Sequence, residues 1–123
     1  MIGPANLDIT IYQGASFYLP FELLDTDGDP VSLAGATIRG KVRNDADDAA
    51  AIISFTGTVV SGEDGTGELT LTAAQTAALV LPASEAKKRP LTKYLWDCEV
   101  LFSDGKVQRI MEGFCFVSPE MTK

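Results

Sequence analysis

Carboxylates dominate the few residue types in this chain that could do chemistry. The 123 residues contain 17 Asp and Glu, 10 Lys and Arg and two cysteines, but no histidine. The absence of histidine removes the commonest general base and zinc ligand, and with them every Ser-His-Asp and Cys-His nucleophile arrangement. Two carboxylates suffice for glycoside hydrolysis, but most of the acidic residues stand in turn-like segments, where no catalytic pair can be chosen. The sequence therefore predicts a protein that is not an enzyme.

Three acidic or glycine-rich segments resemble ligand-binding loops only superficially. Residues 25–29 (DTDGD) gather carboxylates as hard cations require, but Gly stands fourth and no Glu occupies position twelve. Residues 62–67 (GEDGTG) lack the Lys-Ser/Thr ending of a phosphate-binding loop. Residues 45–48 (DADD) are typical of a solvated segment. We expect hydrated turns without metal or cofactor, with calcium at residues 25–29 as the alternative.

The charge balance argues against nucleic acid and membranes as partners. A formal net charge of −7 repels phosphate backbones and anionic lipid, and the one basic cluster, at residues 87–89, is interpreted as a solvated loop. Residues 1–10 have neither the basic start nor the apolar core of a signal peptide. No segment approaches the roughly 20 apolar residues that cross a bilayer. We therefore expect Cys98 and Cys115 to be reduced.

Short β-strands are the elements that must position any site. Asp-Gly pairs at residues 27–28, 64–65 and 104–105 suit the positive φ of tight turns and separate segments of strand character. Pro20 places its strand at an edge or a bulge. Thr72 and Gln75 form a capping box that predicts a helix from Thr72 to about Leu81. Predicted strands occupy residues 7–12, 16–24, 36–43, 52–55, 58–61, 68–71, 91–102 and 106–117.

This order of elements predicts one mainly β domain over residues 1–123, an antiparallel two-layer β-sandwich of the immunoglobulin-like kind with one short helix. A small barrel or jelly roll is the structural alternative. Trp96, on a central strand, is predicted to anchor the core.

The last hairpin predicts that the two cysteines are not joined. A two-residue turn at residues 104–105 places Phe102 opposite Val107 and Cys98 opposite Met111. Cys115 then lies beyond the partner of Cys98 by about 13 Å along the ladder, which exceeds disulfide reach.

Several segments together resemble a known class of protein. They are residues 13–17 (QGASF), 27–35 (DGDPVSLAG), 67–71 (GELTL), 96–100 (WDCEV), 103–107 (SDGKV) and 117–120 (VSPE). The chain resembles small phage and prophage virion proteins and is similar to the N-terminal immunoglobulin-like domain of phage baseplate upper proteins. The resemblance implies docking or self-assembly on a larger particle and no cofactor, and it transfers no catalytic residue. Baseplate upper proteins continue into a stalk and a receptor-holding region, whereas this chain stops at Lys123, which favours an adaptor or stabilising subunit.

We therefore expect a structural protein of the virion, assembled in the host cytoplasm as part of the tail, baseplate or neck. Its partners would be other virion proteins, and it would act as a homo-oligomer or a bound subunit. The alternatives are a capsid decoration (cement) protein and a small carbohydrate-binding module. Candidate contact residues come from a predicted edge strand, outward aromatic positions and a C-terminal arm: Leu7, Ile9, Ile11, Tyr18, Phe114, Phe116, Pro119 and Met121.

Overall fold

A computed structural model describes residues 5–43, 51–79 and 92–118. The elements are β1 (Ala5–Asn6), β2 (Ile9–Tyr12), β3 (Phe17–Glu22), β4 (Thr37–Arg43), β5 (Ala51–Ser61), β6 (Thr66–Leu71), α1 (Ala73–Ala77), β7 (Thr92–Leu101) and β8 (Val107–Ser118). The chain is mainly β with one short helix, as predicted. The strands form one curled, open sheet in the order β1-β8-β7-β4-β5-β6-β3, with β2 also pairing β8.

The pairing is not entirely antiparallel, which corrects the prediction. β1 and β2 both run parallel to β8, with Ala5 opposite Met111 and Ile9 opposite Cys115. At the other end of the sheet β3 pairs only with β6 among the described strands. This end position confirms the edge strand that Pro20 predicted, because a residue without an N–H cannot serve a central strand on both sides.

The curl of the sheet is concentrated in β5. The first half of this strand pairs with β4 and the second half with β6, so it carries the chain from one part of the sheet to the other. Gly57 stands at the changeover, where a Cβ atom would overlap the carbonyl oxygen of Ile38. The two short segments predicted at 52–55 and 58–61 are therefore one strand, which bends where glycine permits the close approach.

The concave side of the sheet holds the apolar core. Trp96 is 3% exposed and its ring meets that of Phe55 edge-on, at 6.1 Å between centroids and 72° between planes, which confirms its predicted burial. Each fully buried large apolar side chain contributes about 1.5–3 kcal/mol. The other core residues are Ile9, Ile11, Leu33, Ile38, Val42, Leu69, Leu71, Leu79, Tyr94, Cys98, Val100, Ile110, Met111, Cys115 and Val117.

In the β7–β8 hairpin Cys98 faces Met111 as predicted, but the turn and the pairing beside it differ from the prediction. Phe102 donates its N–H to the Lys106 carbonyl, so the turn contains three residues, and Leu101 rather than Phe102 faces Val107. An extra residue in β8 opposite the Cys98/Glu99 step then restores Cys98 to Met111. The predicted absence of a Cys98–Cys115 disulfide is confirmed, since both thiols are free and buried.

The structure confirms the predicted glycine turns and the predicted capping box at the start of the helix. Gly28, Gly65 and Gly105 all have positive φ, as the Asp-Gly pairs predicted. The capping box of Thr72 and Gln75 is present, but α1 ends at Ala77, and the predicted end at Leu81 lies outside the described residues. A helix this short depends on its caps and on tertiary contacts.

Candidate interaction surfaces

An aromatic cluster lies on the outer side of the sheet, where β2, β8 and β7 meet. Phe114 and Phe116 lie two residues apart in β8 and so share a face, with ring centroids 6.5 Å apart. The Lys93 ammonium lies 4.5 Å from the centroid of the Phe114 ring. Tyr12 is 61% exposed and Phe114 40%. Exposed rings held close together on rigid strands are typical of a binding surface.

Ion pairs continue this face across β7 and β4. Arg39 binds Glu99 at 2.7 Å, and Asp97 receives Arg43 at 3.8 Å and Arg109 at 3.6 Å. Arg109 also pairs with Glu112 at 3.2 Å. The pairs are partly solvated, so each contributes at most about 1 kcal/mol to stability. Their effect on the surface potential is larger, because cations outnumber carboxylates here.

We call this outer side of β2, β4, β7 and β8 the basic face. Its outward side chains include five cations, four carboxylates and several apolar or aromatic groups, among them Arg39, Lys41, Arg43, Lys93, Arg109, Asp8, Asp97, Glu99, Glu112, Leu95, Tyr12, Phe114 and Phe116. A groove of about 410 Å³ crosses it, lined in part by Arg43, Asp97, Arg109 and Phe114.

The outer side of β3, β6 and β5 has the opposite character, and we call it the acidic face. Tyr18 is 63% exposed and lies near Glu68 of the neighbouring strand β6. Partial desolvation raises the pKa of Tyr18, and the negative charge of Glu68 raises it further. Glu22 and Val60 are exposed on the same side, among threonines. None of the described residues in 5–36 or 51–79 is Lys or Arg, so the carboxylates here have no cation on their own strands.

The acidic turn at residues 25–29 is organised by its own hydrogen bonds. One carboxylate oxygen of Asp25 accepts the N–H groups of Asp27 at 2.9 Å and Asp29 at 3.0 Å. The three carboxylates have oxygens within 4.8 Å of one another, and all three residues are exposed. These two hydrogen bonds account for the shape of the turn.

The junction of β1 and β2 sets where Tyr12 lies. The indole of Trp96 donates to the Leu7 carbonyl at 2.7 Å, and the Phe114 N–H donates to the Asp8 carboxylate at 3.0 Å. A Cβ atom at Gly113 would overlap the Leu7 carbonyl, so glycine permits this crossing. The junction thereby holds β2 along the C-terminal half of β8 and brings the Tyr12 side of β2 next to Phe116.

The residues proposed from sequence do not form a single site. Phe114 and Phe116 lie on the basic face, Tyr18 on the acidic face, and Leu7 is 39% exposed at the β1–β2 junction. Ile9 and Ile11 were wrong as surface contacts, because alternation along β2 turns both into the core. Pro119 and Met121 lie outside the described residues.

Sequence reasoning missed Tyr12, Lys93 and the charge separation. Lys93 and Leu95 alternate with the buried Tyr94 and Trp96, so the strand pattern already placed them outward. The whole sequence has no Lys or Arg in residues 1–38 or 44–86. That segregation was visible, but only the strand order shows that its two halves become two faces.

The thiols are not nucleophiles at neutral pH. Burial raises the pKa of Cys98 to about 12, with Asp97 and Glu99 adding to the effect, and burial raises that of Cys115 to about 12. A thiol reacts as its thiolate, which is scarce at such pKa values. Both residues behave as small apolar core groups.

No helix among the described residues is long and apolar enough to cross a membrane. Comparison with protein-family models and with curated proteins gives no match.

Proposed function

We propose that this chain is a non-enzymatic structural protein of a phage particle, an adaptor or stabilising subunit of the tail, baseplate or neck. Its partners are other virion proteins. The observation that carries the docking role is the basic face, where exposed rings and guanidinium groups lie on rigid, hydrogen-bonded strands. The phage assignment rests on the resemblance of the sequence segments, and the immunoglobulin-like sandwich rests on that resemblance together with the predicted order of strands and turns.

The composition of the basic face supports a protein partner. Tyr, Phe and Arg are enriched at the centres of protein interfaces, where the rings supply large contact area with few rotatable bonds and Arg supplies several hydrogen-bond donors. Phe114 and Phe116 stand on a central part of the face, and Arg43 and Arg109 flank the groove beside them. The backbone of these paired strands is already ordered, so binding carries no cost for ordering a loop, which favours a persistent contact over a transient one.

Quantifying the chain in purified virions tests the phage assignment. Virions would be prepared from an induced lysogen that carries the gene, and their peptides measured against a labelled standard of this chain. We expect a fixed number of copies per particle that survives gradient purification. Presence in the lysate but absence from the purified virions would overturn the proposal.

Separating tails from capsids distinguishes the capsid decoration alternative. A tail, baseplate or neck subunit remains with the tail fraction, whereas a decoration protein remains with DNA-filled heads. The same standard quantifies both fractions, so the two assignments predict opposite ratios.

A carbohydrate-binding module is the second candidate, favoured by the exposed rings of Tyr12 and Phe114. Sugars stack on open ring faces, but the Lys93 ammonium lies over the Phe114 ring and competes for that position. Glycan-array binding that is lost on Tyr12→Ala or Phe114→Ala would favour this candidate. Tyr18→Ala, which removes an equally exposed ring from the acidic face, is the matched control.

A further inference from the structure

We infer that copies of this chain bind one another head to tail, with the basic face of one copy on the acidic face of the next. The inference rests on the proposal that the chain works by docking onto protein. To that proposal it adds that one partner is a second copy of the chain, and it names the two surfaces that meet.

Charge separation within the fold is the first support. The basic face carries five of the six described Lys and Arg residues, against four carboxylates, one of which is Asp8 beside Phe114. Within residues 5–43, 51–79 and 92–118, the charged side chains of the acidic face and its adjoining turns are all carboxylates: Glu22, Asp25, Asp27, Asp29, Glu63, Asp64 and Glu68. A protein with a formal charge of −7 thus keeps a locally positive face, whose complement is available on every other copy. Complementary potentials of this kind select partner and orientation.

The two faces also match in their apolar groups. Tyr18 and Val60 on the acidic face are 63% and 61% exposed, and Tyr12 and Phe114 on the basic face are 61% and 40% exposed. Burying these side chains against one another removes apolar area from water on both copies. Glu68, on the neighbouring strand β6, places a carboxylate near the Tyr18 ring in this contact.

Contact of unlike faces has a consequence for the assembly. A two-fold dimer through the basic face would place the excess cations of two copies together, and a dimer through the acidic face would do the same with carboxylates. Contact of basic on acidic face is heterologous, so a pair of copies retains one free basic face and one free acidic face. Heterologous contacts build rings when the rotation closes and filaments when it does not.

Charge reversal of each face separately is the decisive experiment. The basic-face variant is Lys41→Glu with Lys93→Glu, since neither lysine forms an ion pair with a described residue. The acidic-face variant is Glu22→Lys with Glu68→Lys. Lys106→Glu, which reverses a cation in the β7–β8 turn away from both faces, is the control. Circular dichroism and thermal unfolding establish that each variant is folded, and sedimentation velocity measures mass at low and high salt.

We expect the wild type and Lys106→Glu to associate at low salt and to dissociate as salt rises. Each reversed variant alone should bind itself more weakly by on the order of a hundredfold, because like charges then face each other. An equimolar mixture of the two variants should associate again, because the reversed faces complement one another. Reducing the net negative charge generally promotes association, so weaker self-association of the Glu→Lys variant is a demanding result.

Three outcomes overturn the inference. They are a wild type that stays monomeric at every concentration and at low salt, reversed variants that associate like the wild type, and a mixture no heavier than its folded components. None of these touches the virion assignment, which is decided by particle composition. Conversely, if the chain is absent from virions, sedimentation still decides whether its copies bind one another.

Discussion

Replacing Trp96 tests both the core and the junction that positions β2. The ring is 3% exposed, meets Phe55 edge-on at 6.1 Å and donates its indole N–H to Leu7 at 2.7 Å. Trp96→Ala removes the ring and its hydrogen bond together. Trp96→Phe keeps most of the apolar volume and removes the donor.

The two substitutions should lower the free energy of unfolding by different amounts. Trp96→Ala leaves a large cavity and should lower the free energy of unfolding by about 3–5 kcal/mol. Trp96→Phe should cost about 1–3 kcal/mol, because the Leu7 carbonyl loses its donor and a smaller void forms. The second variant should therefore loosen the β1–β2 junction more than the rest of the sheet.

Urea unfolding followed by far-ultraviolet circular dichroism measures the free energy of unfolding of the whole domain. Amide hydrogen exchange measures local opening at the β1–β2 junction. In Trp96→Phe we expect faster exchange at Leu7, whose N–H donates to Glu112, and at Phe114, whose N–H donates to Asp8. Leu69→Ala is the control, because Leu69 is fully buried in another strand and has no bond to the junction.

Two results would refute this reasoning. A loss below about 1 kcal/mol for Trp96→Ala would mean that the ring does not fill the core. Equal exchange at Leu7 and Phe114 in Trp96→Phe and Leu69→Ala would mean that the indole does not hold the junction.

Three further predictions concern the edge, the thiols and the bend. Pro20→Thr should add salt-resistant association, seen by sedimentation, because it completes the donor set on the outer edge of β3; unchanged mass contradicts this. The unfolded thiols of Cys98 and Cys115 ionise near 9.0 and the folded ones near about 12, so the stability they contribute at lower pH should be lost as pH rises between those values. Replacing both cysteines by Ala should make the urea midpoint fall less steeply as pH rises over this range. An unchanged slope of midpoint against pH would contradict the prediction. Gly57→Ala should destabilise by about 1–3 kcal/mol or more in thermal unfolding, because its Cβ meets backbone; a neutral effect would show that β5 bends elsewhere.

Features that depend on a few neighbouring residues followed from the sequence. The Asp-Gly pairs specify positive φ at Gly105 and at its two counterparts because glycine alone adopts it at little cost. Thr72 and Gln75 satisfy each other's backbone donors wherever the helix lies. Alternation along β7 turned Trp96 inward because successive strand residues point to opposite sides.

Features that depend on distant segments did not follow. Alternation made Ile9 and Ile11 apolar strand residues, but it could not say that β2 would close parallel on β8 and bury them. The register of the last hairpin came out right at Cys98 only because a three-residue turn and a bulge offset each other.

The candidate surfaces show the same division. The sequence by itself determined that Lys and Arg are absent from residues 1–38 and 44–86, and that Phe114 and Phe116 share one side of a strand. Only the tertiary structure decided that β4, β7 and β8 unite the cations on one face while β3 and β6 carry the acids on another. Strand order joins residues far apart in the chain, and it is chosen by the free energy of the whole core, which no local pattern contains.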